Sequence, residues 1–296
     1  MTPRPLARRA FLARIGMLGA AAGLGGLLPA AAGASPLRPA QLDDLLEPLR
    51  AVLAELARDT LNGLAVFVVP GPDPYSRAQG TPRQEPGAME AQTTDFLINA
   101  LDNFVPVPDQ VAQPGAAALA TGLSDSPVAL PPELLDQLPV EAATLDEGLR
   151  ALLENDATVP LSLTVASLLN LLATQVNPAA VAGPLLSPFA RLSFEEKATA
   201  FSLLEGPDAD LVALADTSFP EPLRNSLSGL LRFVGGALLE FPAFGSFSEY
   251  AVFDPDTKQL TGRPVGWELT GYQPDGPVEG WDEFAGYYQD RTEVSD

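Results

Sequence analysis

Neither cysteine nor histidine occurs in the 296 residues. A chain without cysteine folds with no disulfide, thiolate zinc site, iron–sulfur cluster or covalently attached c-type haem, so its stability has to come from packing. Without histidine it also lacks the commonest general base near neutral pH and every Ser-His-Asp or Cys-His arrangement. From residue 35 onward the chain is long enough to bury about three quarters of its unfolded surface, so a core is within reach. Leucine spacing says where that core lies. Leu42, Leu45, Leu46, Leu49, Leu53 and Leu56 recur at helical intervals with Asp, Glu and Arg between them, which puts one apolar stripe on one helix face. Pro48 either begins that helix or kinks it.

The run from Val66 to Gly87 is dense in Pro and Gly and reads as a structured loop. Helix resumes at Thr93 or Thr94, with Phe96, Leu97, Ala100, Leu101 and Phe104 as its apolar side. Residues 106–139 are rich in Pro, Ala, Gly and Ser, which predicts a mobile insertion or partner-stabilised surface segment more than a core element. Thr144 with Glu147 forms a capping box ahead of Leu145, Leu149, Leu152 and Leu153. Leu161 to Ala173 is apolar on nearly every face yet too short to span a bilayer, the pattern of a central core helix. Ser193 with Glu196 repeats the capping box, Phe194, Ala198, Phe201 and Leu204 follow on one face, and Gly206-Pro207 stops the helix. A further helix is expected from Pro222 to about Leu239, where Gly229, Gly235 and Gly236 permit a close neighbour. Beyond Phe241 the chain reads as an ordered loop tail with one short hairpin. The expected fold is all-α: residues 35–296 form one irregular helical bundle with Pro/Gly-rich loops and an aromatic, mostly loop C-terminal tail over 241–296.

Residues 1–34 read as a twin-arginine signal peptide. Arg8, Arg9, Phe11 and Leu12 form the export motif, a weakly apolar Gly/Ala-rich stretch runs from Ile15 to Leu28, and Ala32 and Ala34 flank Gly33 in an A-x-A cleavage site. The stretch is diluted by Gly and interrupted by Pro29, which argues against a lasting membrane span. The expected localisation is therefore outside the cytoplasm, in a periplasm, a cell-wall space or the medium. The whole chain carries a formal charge of −21. Arg4, Arg8, Arg9 and Arg14 would leave with the leader, making the remainder more acidic still. Nucleic acid and anionic lipid are poor partners for such a surface.

No residues are assigned to catalysis, to a cofactor or to a metal. Asp254 and Asp256 invite a calcium reading, but the sixth and twelfth positions of the loop hold Gln259 and Val265 where an EF-hand needs Gly and Glu, so the segment reads as a turn. Glu195, Glu196, Asp208, Asp210 and Asp216 would have to pair across a cleft to hydrolyse a glycoside. Lys197 and Lys258 are the only lysines, and Ser193 lies one residue too far from Lys197 for an S-x-x-K nucleophile. The aromatic tail is the more suggestive feature. Phe244, Phe247, Tyr250, Phe253, Trp267, Tyr272, Trp281, Phe284, Tyr287 and Tyr288 concentrate rings near the C-terminus. Such rings either tie the tail to its own helices or form a partner surface, or both. Trp267, Tyr272, Trp281, Tyr287 and Tyr288 are the candidate interface residues.

Several short motifs together carry a resemblance. Val69-Pro70-Gly71-Pro72-Asp73 and Pro86-Gly87-Ala88-Met89-Glu90-Ala91 come first, then Phe189 through Leu204-Glu205, then Phe253-Asp254-Pro255, Gly266-Trp267 and Gly271-Tyr272. In these the chain resembles the small third subunit of gluconate 2-dehydrogenase-type enzymes. It departs from that pattern over Pro106 to Pro139 and in Thr257-Lys258-Gln259-Leu260. The resemblance implies an exported accessory subunit, itself without flavin or haem, that accompanies a flavin-containing oxidoreductase of the glucose-methanol-choline type. Two other readings compete with it: a free-standing exported acidic binding or structural protein, and a carboxylate-dependent hydrolase using Glu196 or Asp210.

Overall fold

The computed structural model describes residues 39–105, 109–124, 127–136, 138, 142–155, 157–205 and 227–272. The leader motif and the cleavage site lie outside these residues, as do Asp208, Asp210, Asp216, Trp281, Phe284, Tyr287 and Tyr288. The architecture is an all-α bundle. Its long axis element is α1 (Pro39–Val68), 30 residues with Pro48 inside it. Pro48 therefore does not begin the helix. Nor does the helix stop at Val66, where the Pro/Gly-rich run was expected to be loop. Leu61, Leu64, Ala65 and Val66 are fully buried and continue the stripe of Leu53, Leu56 and Ala57, so tertiary burial overrides the weak helix propensity of the β-branched residues.

After α1 come α2 (Pro74–Gln79), α3 (Thr93–Asn103), α4 (Asp109–Leu123), α5 (Pro132–Leu135), α6 (Leu145–Glu154) and α7 (Leu161–Val176). A 3-10 turn (Pro178–Val181) leads to α8 (Pro188–Arg191), α9 (Phe194–Glu205), α10 (Leu227–Phe247) and α11 (Val265–Thr270). A two-residue antiparallel ladder, β1 (Phe253–Asp254) with β2 (Gln259–Leu260), pairs Phe253 with Leu260 and is the expected short hairpin. Within the described part of the tail, residues 241–272, α10 runs on to Phe247 through Pro242 and α11 follows the hairpin, so this part holds more helix than expected.

Two hydrophobic clusters divide the interior. The first gathers Leu49, Leu53 and Leu56 of α1 with Ala116, Leu119, Ala120 and Leu123 of α4 and Leu145, Leu149 and Leu152 of α6. Segment 106–139, expected as a surface insertion, thus supplies a helix to this core: its small residues let α4 approach closely. The second gathers Leu61, Leu64 and Ala65 of α1 with Leu97, Phe189, Ala200, Phe201, Leu204 and Leu238. Helix α7 belongs to both, giving Leu163, Ala166 and Leu171 to the first and Val165, Leu169, Leu172 and Ala173 to the second. That is the central helix its all-round apolarity predicted.

Both capping boxes form. Glu147 accepts from the amides of Ala143 (2.8 Å) and Thr144 (3.1 Å). Glu196 accepts from the Ser193 amide (2.9 Å) and hydroxyl (2.9 Å). The stripe on α9 is rotated from the expected one: Phe194 is 42% exposed, and Lys197 lies fully buried in line with Ala200, Phe201 and Leu204.

Candidate functional site

The buried lysine is the centre of a polar cluster at the second end of the bundle. Its Nζ donates to the Gly63 carbonyl of α1 (2.9 Å) and to Gln79 Oε1 of α2 (2.8 Å). It also stands 5.5 Å from the centroid of the Phe189 ring. Burial drives its pKa down to about 7, and the charges of Asp73 and Asp59 push weakly the other way. Around it the side chains satisfy one another. Asp73 caps α2 by accepting from the Ser76 amide (2.8 Å) and hydroxyl (2.6 Å). The Ser76 hydroxyl oxygen in turn accepts from the Gly71 amide (3.0 Å).

Asp59 extends the cluster across α1. Its carboxylate takes the Tyr75 hydroxyl (2.8 Å) and the Ser187 amide (2.8 Å). Burial, then the Asp59 charge, raises the Tyr75 pKa to about 12. Asn62 donates to the Tyr75 oxygen (3.0 Å) and accepts from the Thr94 hydroxyl (2.7 Å). Gln79 donates to the Val66 carbonyl (2.8 Å) and Thr81 (2.6 Å). Asn170 of α7 donates to Thr60 (2.9 Å) and accepts from the Phe189 amide (3.1 Å). Such a saturated network in a low-dielectric interior fixes one geometry. It holds α1, α2, α8 and α9 together, and as folded it keeps the Lys197 amine and both carboxylates occupied with the chain itself.

Three of the motif segments quoted above converge here. The Ala88 amide donates to the Val69 carbonyl (2.9 Å) and the Arg83 amide to the Gly71 carbonyl (3.0 Å). A Cβ on Gly71 would sit 2.8 Å from the Gly87 nitrogen, and one on Gly87 2.6 Å from the Gly71 nitrogen. The two glycines are there because the two backbones touch. Glu90 closes the bracket by accepting from the Gly87 amide (2.8 Å). The third segment supplies Phe189 and Lys197.

The late motif segments lie elsewhere, at the C-terminal end of α10. Phe96 of α3 packs against Phe244 (5.7 Å between centroids) and edge-on against Tyr250 (5.5 Å). Trp267 meets Tyr272 edge-on at 5.2 Å. A Cβ on Gly245 would collide with the Phe96 ring at 2.6 Å, so helix and ring are pressed together. Around this anchored base the rings stand in solvent: Phe244 is 68% exposed, with Phe247, Phe253 and Tyr272 near half exposed and Tyr250 at 38%. Of the expected interface residues, Trp267 is half-buried and Tyr272 exposed. Phe244 is the more exposed ring, and helical spacing alone did not say which side of α10 would be covered.

A cleft of about 440 Å³ between α1, α3 and the start of α7 includes Arg50, Ile98, Asp102, Ser162 and Leu163 in its lining. Asp102 there is engaged, accepting from the Ser162 amide (2.8 Å) and hydroxyl (2.8 Å) at the start of α7. Asp254 makes the expected turn, accepting from the Asp256 and Thr257 amides. Glu196 carries, beside its cap, a bond from Asn177 (2.8 Å). Among the described residues no group of three or more acidic side chains is placed to hold a metal ion, and no helix is long and apolar enough to cross a membrane. Set against family models, curated proteins and solved structures, the chain matches none of them.

Proposed function

We propose that this chain is an exported, noncatalytic accessory subunit that docks on an extracytoplasmic flavin-dependent oxidoreductase of the glucose-methanol-choline type and assists its assembly or its twin-arginine export. The observation that carries the reading is the exposed aromatic face at the end of α10, where Phe244, Phe247, Tyr250, Phe253 and Tyr272 present rings to solvent above a rigid base. Aromatic side chains in such a setting supply large contact area at small entropic cost, as interface anchors do. The Arg8-Arg9-Ala10-Phe11-Leu12 leader and the motif resemblance supply the compartment and the kind of partner. The buried cluster around Lys197 has the part of a brace that holds the docking end in one shape.

The test is native affinity purification of the C-terminally tagged chain from its own host, with an absorbance spectrum of the eluate. A stoichiometric yellow flavoprotein is the expected companion. A colourless single chain, from cells that express a candidate oxidoreductase, would favour the free-standing acidic binding protein instead. Replacing Arg8 and Arg9 by Lys should retain this chain and its partner together in the cytoplasm; normal export of the partner would defeat the escort role.

A further inference from the structure

The aromatic face is not purely apolar. Glu240 precedes Phe244 by one helical turn, Glu249 adjoins Tyr250, and Asp254 adjoins Phe253. Asp256 and Glu268 add exposed carboxylates on the hairpin and on α11. The opposing cations over the same stretch are Lys258 and Arg263, and Arg263 is turned onto the Tyr272 carbonyl (2.5 Å). Rings interleaved with acids, on a chain of net charge −21, select against an anionic lipid surface and against a second copy of the same face, both of which would bring like charges together. They select for a protein surface of the opposite sign.

Resting on the subunit reading above, we infer that the end of α10, the β1–β2 hairpin and α11 form the docking surface itself, and that its occupant is a face of the flavoprotein subunit with an apolar recess ringed by Lys and Arg. The rings fill the recess and set the lifetime of the complex. The acids pair with the rim and set the rate of encounter and its salt dependence.

The experiment uses full-length chain and the yellow flavoprotein recovered with it, separated and recombined on a biosensor at two salt concentrations. Phe244→Ser with Phe247→Ser should weaken binding at least tenfold, chiefly by faster dissociation. Glu240→Lys with Glu249→Lys should slow association several-fold and flatten the salt dependence. Both pairs lie on solvent-facing positions, and helicity by circular dichroism checks that each variant is folded. If the flavoprotein binds and both variants bind like the parent, the docking surface is elsewhere and the inference falls while the subunit reading stands. The same follows if hydrogen exchange over 240–272 is as slow in the free full-length chain as in the complex, since the face is then covered already. If no flavoprotein is recovered, the subunit reading falls and takes the inference with it.

Discussion

The two ends of α1 lie in different kinds of interior. From Leu46 to Ala57 the helix packs against α6 and α7 in an aliphatic cluster that α4 completes. From Asp59 to Val68 the helix contributes Asp59, Thr60 and Asn62 to a network with Asp73, Ser76, Gln79, Thr94, Asn170, Ser187 and Lys197, all buried and hydrogen-bonded. One end is held by area, which is non-directional and tolerant of exchange. The other has an apolar cluster of its own, with Leu61, Leu64 and Ala65 among Leu97, Leu169 and Phe189, and adds donors and acceptors that work in one arrangement only. The directional end is the one that α3 and α10 join to the aromatic face. In the docking role proposed above, a surface that keeps several rings in register gains more from a fixed base than from a merely stable one.

The most severe way to damage the first end is to hollow it. Leu53 is fully buried against Leu49 and the backbone of Gly148, so Leu53→Ala should cost about 3 to 5 kcal/mol in denaturant unfolding. Leu53→Met, which keeps the volume, should cost under about 1.5 kcal/mol. At the second end the same tolerance should fail. Asp59→Leu strands the Tyr75 hydroxyl and the Ser187 amide without acceptors, a loss of about 2 to 3 kcal/mol. An Asp59→Leu protein as stable as Leu53→Met would mean that the two interiors do not differ in the way described.

This division also explains what the sequence disclosed. Leucine spacing located α1, α6 and α7, and the Ser193 and Thr144 boxes located two helix starts, because both signals are local. Segment 106–139 was hidden because Ala-rich helices look like loops once Pro and Gly interrupt them, although Ala116 and Ala120 are buried by α4's neighbours. Lys197 was hidden for a different reason. Its charge hides a core position that the Ala200, Phe201 and Leu204 spacing would have exposed had any apolar residue stood there. The partners of Lys197, Gly63 and Gln79, are more than a hundred residues away in sequence, and no local pattern reports such a pairing. Tyr272 stands exposed, a point that the aromatic composition of the tail left open, and the exposure of Phe244 depends on how α10 is rotated, which packing decides.

The lysine gives a further handle on the comparison. In the folded chain its amine titrates near 7, and in the unfolded chain near 10.5. Between these values the unfolded state binds the extra proton, so stability rises with pH, by close to 1.4 kcal/mol per unit at most, and is flat below 7. Tyr75 acts in the opposite sense: its folded pKa near 12 lies above the free value of 10.0, so stability falls again above pH 10. The expected profile from these two groups peaks around pH 10. Lys197→Met should abolish the rise between pH 8 and 10 whatever it does to absolute stability, and Leu53→Met should leave it intact. Parallel slopes in Lys197→Met and the parent would show that the amine is not neutral inside the fold.

The smallest effect compares the two capping glutamates. Glu147 sits in an exposed box at the first end, its pKa lowered mainly by the Ala143 amide and then by Thr144. Because the folded pKa is depressed, its contribution is present above the unfolded value of 4.5 and is lost as pH falls through the folded one. Solvent screens it, so Glu147→Gln should cost about 0.5 kcal/mol at neutral pH and less in high salt. Glu196 has the same sequence role at the second end, but its carboxylate also takes Asn177 and both donors of Ser193. Glu196→Gln should therefore cost about 1 to 2 kcal/mol, because three charge-assisted bonds weaken at once. Equal losses, equally reduced by salt, would place both boxes on the surface and remove Glu196 from the directional end; a larger, salt-insensitive loss at Glu196 extends that end through the Asn177 turn to the start of α9.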